Sequence, residues 1–293
     1  MDASIYIFRA WFSMPDSIRD NKGQPLNAVY GYVHFLCQLL EQQSPEYIAV
    51  AFDESLKSSF RNKIYPDYKA NREAAPPELK RQFRLCREIS DLMGLSTYAS
   101  KTHEADDIIG TISKKMRRSD FRSIIVSADK DLTQLLVKGD RYWDFARDKW
   151  YLHGDIRKHF GVHSEQVVDF LALAGDSVDN IPGVPGIGKK TAISLLEKYQ
   201  SLDHLYRSVE TVSDSDLRGA MRIQGLLQEH REQAMLSRKL ASIACNAPVS
   251  FGVRSLKRKT VDVDALGRFF SRRGFGHKLL ARIEAVVKGQ AVR

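Results

Sequence analysis

Cysteine is scarce in this sequence. Only Cys37, Cys86 and Cys245 are present, far apart and with no C-x-x-C pair. That distribution speaks against a disulfide framework or a cysteine zinc site and fits reduced thiols of a cytosolic protein. Long hydrophobic runs are missing too: no stretch reaches the ~18 consecutive apolar residues of a membrane span. The chain opens Met-Asp-Ala-Ser, without the basic region and apolar run of a secretory signal. A cytoplasmic location and no membrane association are therefore expected. No internal repeat and no low-complexity linker is visible.

Positive charge is what the chain has in excess. Its 293 residues carry 45 Lys and Arg against 36 Asp and Glu, a net charge of +9. With 43% hydrophobic residues a normal core is expected, in one large domain or two modest ones. A basic balance points to a polyanionic partner, because Lys and Arg release counterions when they meet phosphates. Charge alone is weak evidence, so the motifs carry the argument.

Apolar spacing predicts a helix over residues 27–40, with Val29, Val33, Leu36 and Leu40 on one stripe. The run Y-I-A-V-A-F at 47–52 reads as a strand ending at Asp53, and S-I-I-V-S at 123–127 as another ending near Asp129. Between them, helices are expected from Pro76-Pro77 onward and after Glu104. Strands alternating with helices argue for a parallel α/β sheet. Ligand sites of open parallel sheets form beyond the carboxyl ends of the strands, the edge where Asp53 and Asp129 fall. Beyond about residue 160 strand signals fade, helices dominate, and the stretch from 252 is strongly basic. The organisation expected is an α/β core over 1–160, a helical region over 161–250 and a basic extension over 251–293.

T-H-E-A-D-D-I-I-G (102–110) places Glu104, Asp106 and Asp107 at a helix start. Acids in a first turn complement the helix dipole, which accounts for this cluster taken alone. It does not account for the whole set of Asp2, Asp53, Glu104, Asp106, Asp107, Asp129, Asp131, Asp176 and Asp179. Facing carboxylates are costly unless a cation sits among them. Oxygen ligands without a His or Cys cluster suit Mg²⁺ or Mn²⁺, and two such ions can hydrolyse a phosphodiester.

G-V-P-G-I-G-K-K (183–190) resembles a P-loop only superficially: Lys190 stands where the Ser/Thr on Mg²⁺ is required, and no strand precedes it. A helix–hairpin–helix fits better, its turn of Gly183, Gly186 and Gly188 offering backbone N–H groups to a DNA phosphate, with charge added by Lys189 and Lys190. Such a turn reads the backbone and not the bases. In Y-P-D-Y-K-A-N-R (65–72), Tyr68 suits stacking on single-stranded DNA, while Lys69 and Arg72 suit neutralising a scissile phosphate.

Together F-D (52–53), Y-K-A-N-R (68–72), E-A-D-D (104–107), S-A-D-K-D (127–131) and G-D-S-V-D-N-I-P-G-V-P-G-I-G-K-K-T-A (175–192) closely resemble the bacterial and phage 5′-nuclease (flap endonuclease) family, from residue 2 to roughly 250. The family includes the N-terminal 5′→3′ exonuclease domain of bacterial DNA polymerase I. The resemblance implies a parallel-sheet core, a helical arch and a helix–three-turn–helix element. It also implies Mg²⁺-dependent cutting of branched or 5′-ended duplex DNA, 5′ flaps and RNA–DNA primers, by a monomer. By the same resemblance all nine acids match metal-site positions, Lys69 and Arg72 match the arch's basic pair, and the 183–188 hairpin matches a duplex-binding loop where K⁺ is often held. The pattern departs at its start, where the family has an apolar strand and only Met1 precedes Asp2. A second reading is therefore a non-catalytic branched-DNA binding protein with an impaired metal site.

Overall fold

The computed structural model describes residues 1–54 and 58–288; the last five residues of the basic extension fall outside them. The first half alternates helices and strands: α1 (Ala3–Ser13), α2 (Asn27–Gln43), β1 (Ala49–Asp53), α3 (Phe60–Ile64), α4 (Pro77–Leu92), β2 (Ser96–Ser100), α5 (Ala105–Arg117) and β3 (Ile124–Val126). A hairpin of β4 (Arg141–Asp144) and β5 (Lys149–Leu152) follows. Helices make up the remainder: α6 (Ile156–Phe160), α7 (Val167–Ala174), α8 (Lys189–Tyr199), α9 (Leu202–Arg207), α10 (Ala220–Glu229), α11 (Arg231–Ala241), α12 (Val253–Leu256), α13 (Val263–Arg273) and α14 (His277–Lys288). Helices on a mostly parallel sheet, followed by a helical region, match the expected class.

The strands form two small sheets. β1 pairs in parallel with β2, with Ala49 opposite Ser96 and Asp53 opposite Ser100. β3 pairs in parallel with β4, and β4 with β5 in antiparallel. Among the described residues Met1 and Asp2 join the two sheets. The Met1 amino group donates to the Ala49 carbonyl at 2.9 Å, Ala51 N–H to the Met1 carbonyl at 2.9 Å, and Asp2 N–H to the Val126 carbonyl at 3.0 Å. A two-residue stretch thus occupies the middle of the sheet and delivers Asp2 between β1 and β3. Behind it an apolar cavity of about 350 Å³ opens, walled by Ile48, Ala49, Ile112, Ile124 and Ile125.

Two cores flank this arrangement. One gathers α1, α2, β1 and α4 together with Leu266, Phe269, Phe270, Leu279 and Ile283 from α13 and α14. The other runs from α5 and β3 through the C-terminal helices to Leu256. The basic extension beyond 251 packs its apolar stripes on the N-terminal helices, and Arg273 and Arg282 pair with Glu88 and Glu41. Periodic apolar residues outweigh charge there, because burying a large apolar side chain stabilises by about 1.5–3 kcal/mol, more than a surface ion pair contributes.

Candidate active site

Local rules place the acids. Asp2 caps α1, its Oδ1 accepting from Ile5 N–H at 3.4 Å, while its Oδ2 accepts from the Ser127 hydroxyl at 3.0 Å. Asp53 ends β1 and accepts the Ala105 N–H of α5 at 2.8 Å. Glu104 precedes α5, whose first turn carries Asp106 and Asp107. Asp129 caps the 3₁₀ turn after β3 by accepting from Asp131 N–H at 2.9 Å. Asp176 follows α7 and accepts from Val178 N–H at 2.7 Å, which fixes the loop carrying Asp179. Helix starts and strand ends thus converge at the carboxyl edge of the parallel sheet.

Electrostatic frustration marks this edge. Burial, reinforced by Asp53, pushes the Asp2 carboxyl up to about 7. Burial and Asp129 push Asp131 to about 7 as well. Asp106 is raised well above the carboxylate range by burial and by Asp129 and Asp2, and Asp129 is raised by burial. Glu104 Oε1 and Asp131 Oδ1 are buried with no hydrogen-bond partner among the described residues. Buried carboxylate oxygens without partners are costly, and a hard cation is the ligand that this donor set suits. Among the described residues no three acidic, His or Cys side chains are gathered at coordination distance; protein cations lie among them instead.

Lys69 is one of these cations. Its ammonium bonds Glu104 Oε2 at 2.9 Å and lies 3.4 Å from Asp179 Oδ2. Burial works against its charge, yet Glu104, Tyr68 and Asp179 outweigh it and hold the ammonium well above its usual range. Arg72 bonds the other oxygen of Asp179, and Lys130 lies 3.8 Å from Asp176. A cavity of about 500 Å³ opens over this edge, lined by Arg72, Asp129, Asp131, Asp176 and Asp179 on one side and by Arg147, Lys149 and Tyr151 of the β4–β5 hairpin on the other.

Three expected roles are corrected by the geometry. Asp107 is fully buried and turned away from the cluster: Arg61 donates to both of its oxygens at 2.8 Å, and the N–H groups of Glu104 and Ala244 occupy them further. Successive helical residues point about 100° apart, so Asp106 and Asp107 meet different surroundings. Tyr68 is 3% exposed, and its hydroxyl donates to Glu104 and Asp179 at 3.2 Å. Its ring belongs to the core and offers no face to a base. Gly183 is buried as well; its N–H donates to the Ser237 hydroxyl at 3.0 Å and is not free for a phosphate. With φ +64°, its Cα lies so close to the end of α7 that a Cβ would come within 2.4 Å of the Gly175 nitrogen. Gly186, Gly188, Lys189 and Lys190, by contrast, are exposed around the start of α8.

Sequence reasoning passed over several residues that shape the site. Ser127 bridges Asp2 and Asp129, Lys130 faces Asp176, and Arg61 anchors Asp107. Ser127 and Lys130 stand inside the S-A-D-K-D motif in plain view. Arg147 and Lys149 lie on a hairpin whose strands are four residues each.

An α/β core with carboxylates at the parallel sheet edge, followed by a helical hairpin region, is the architecture of a class of nucleases. Residues 1–161 match the 5′-3′ exonuclease N-terminal resolvase-like domain, and residues 162–264 its C-terminal SAM fold. The chain belongs to the 5′-3′ exonuclease family. A 5′-3′ exonuclease from Aquifex aeolicus is 34% identical, with 91% of this chain and 88% of that protein covered. DNA polymerase I of Bacillus subtilis is 36% identical over 97% of this chain, which spans 32% of that protein's length. Among solved structures, a bacteriophage T5 flap endonuclease in a pseudo-enzyme-product complex with DNA and metal ions superposes with a TM-score of 0.67 at 21% identity, covering 98% of this chain and 97% of that one. Flap endonuclease-1 from Methanococcus jannaschii gives 0.61 at 16% identity, covering 99% and 92%. At these identities the structures share the fold.

Proposed function

We propose that Asp2, Asp53, Glu104, Asp106, Asp129, Asp131, Asp176 and Asp179 hold two divalent cations, Mg²⁺ with Mn²⁺ as a substitute, and that the protein hydrolyses DNA phosphodiesters near 5′ ends. Substrates of this reading are 5′ flaps, branched or 5′-ended duplexes and RNA–DNA primer ends, cut by a monomer in the cytoplasm. The single observation that carries it is the pair of buried, unpartnered oxygens on Glu104 and Asp131 within a cluster of strained carboxyls. Bound there, divalent ions would supply an activated water and a Lewis acid for the leaving oxygen. Lys69 and Arg72, now counterions to Glu104 and Asp179, are the cations nearest to where a scissile phosphate would bind. Gly186, Gly188, Lys189 and Lys190 would grip the duplex backbone, with K⁺ held by the hairpin.

Cleavage of a 5′-labelled flap duplex with Mg²⁺ and with EDTA, beside a binding assay on the same DNA, tests this. Metal-dependent cutting near the branch is expected. Tight binding without cutting in either condition would overturn the nuclease reading in favour of the non-catalytic DNA-binding one.

A further inference from the structure

Among the described residues Arg61 is a heavily engaged cation, and no part of the proposed chemistry uses it. Its guanidinium is buried and makes four directed bonds. Two go to Asp107 at 2.8 Å, and two to main-chain carbonyls, Leu240 at 2.8 Å and Ser242 at 2.7 Å. One guanidinium nitrogen also lies 3.6 Å from Glu104 Oε2. Asp107 returns the connection on both sides, accepting the Glu104 N–H at 3.0 Å and the Ala244 N–H at 2.8 Å. The Arg61–Asp107 pair therefore holds the backbone of Glu104, sets a positive charge beside its carboxylate, and ties both to the segment leaving α11.

The far end of that connection is the hairpin. Within α11, Ser237 accepts the Gly183 N–H and Gln233 donates to the Gly183 carbonyl, both at 3.0 Å. One short helix thus grips the base of the glycine turn at its middle and Arg61 at its end.

We propose that Arg61 is a positioning residue, which through Asp107 sets Glu104 for metal binding and couples that binding to engagement of the hairpin by duplex DNA. The inference rests on the metal-centre reading above. Groups that orient a metal ligand from behind typically change metal affinity by about 10–100-fold when removed. Coupling between the two sites is reciprocal, so metal must tighten DNA as much as DNA tightens metal.

The test uses the full chain and Mn²⁺, with free ion counted by electron paramagnetic resonance and no turnover needed. Arg61→Ala leaves Asp107 buried and unpaired and can fail to fold. Arg61→Lys retains the charge but loses the fork, and its cooperative unfolding transition reports that it is folded. Mn²⁺ affinity of Arg61→Lys is expected to fall about tenfold, and the tightening of duplex binding by Mn²⁺ seen in the unaltered protein is expected to shrink. An Arg61→Lys protein that folds, binds Mn²⁺ with unaltered affinity and keeps the full tightening overturns the proposal. Absence of Mn²⁺ binding by the unaltered protein would instead overturn the metal-centre reading itself.

Discussion

At the scale of single residues, neighbouring acids have opposite fates. Asp106 faces the strained cluster and Asp107 faces Arg61. Replacing Asp129 or Asp131 by Asn should abolish cleavage while leaving duplex binding measured without divalent metal within about twofold, because positioning contacts to DNA phosphates come from elsewhere. A filter-binding assay beside a gel of cleavage products checks this; near-normal cutting by both variants would remove them from the metal centre. Asp107→Ala acts differently. It leaves Arg61 buried without its partner, a loss of about 3–5 kcal/mol, so its primary effect should be a lowered denaturant midpoint. Lys69→Ala should slow turnover about tenfold or more, as expected when a cation on developing phosphate charge is lost, and single-turnover rates at saturating DNA would show it. Tyr68→Phe removes two hydrogen bonds but no exposed ring. It should leave single-strand affinity unchanged, and a tenfold loss would restore the stacking role that burial argues against.

At the scale of elements, legibility followed the physics of each signal. Helices α2, α4, α5, α7 and α8 have apolar stripes, and the strands β1 and β3 are compact apolar runs, so local pattern sufficed. β2 and the β4–β5 hairpin were not read because S-T-Y-A-S, R-Y-W-D and K-W-Y-L are short and mix polar or charged residues with aromatics. Cross-strand contacts, such as Trp143 stacked on Trp150 with centroids 4.4 Å apart, hold that hairpin instead. The acidic set was legible as a set, since strand ends and helix starts are local features. Which acid turns inward was not, because Asp107 is claimed by Arg61 and Ala244, 46 and 137 positions away in the chain. The glycine turn was read as a helix–hairpin–helix and does lie between α7 and α8, yet its glycines divide between packing and exposure. Gly183→Ala should destabilise by about 1–3 kcal/mol through its positive φ alone, with further cost from the clash at Gly175. Lys189→Ala with Lys190→Ala should leave stability unchanged and lower the salt dependence of duplex binding by about one per lysine in log–log slope. A slope identical to that of the unaltered protein would separate α8 from the DNA.

At the scale of the whole molecule, the sheet edge couples stability to protons, and the proposed metal centre would join that coupling. Asp2 and Asp131 have carboxyls raised from the ordinary 3.8 to about 7. Between those values the folded protein holds protons that the unfolded chain has released. Each group therefore lowers stability as pH rises, by about 1.4 kcal/mol per pH unit, and the loss is complete above about 7. The Met1 amino group, lowered by burial to about 6 from 8.0, acts with the opposite sign between those two values. Total stability against pH thus mixes opposing contributions, but the increment produced by a divalent ion does not. That ion must displace the carboxyl protons and has no use for the amine. The rise in melting temperature caused by 10 mM Mg²⁺, about that concentration being enough to saturate millimolar sites, should be near zero at pH 5 and grow steadily to pH 8. Asp131→Asn should flatten that growth, having one proton fewer to displace. A magnesium increment independent of pH would mean that the ion binds away from the strained carboxyls, and it would detach the metal centre from the cluster at the end of the parallel strands.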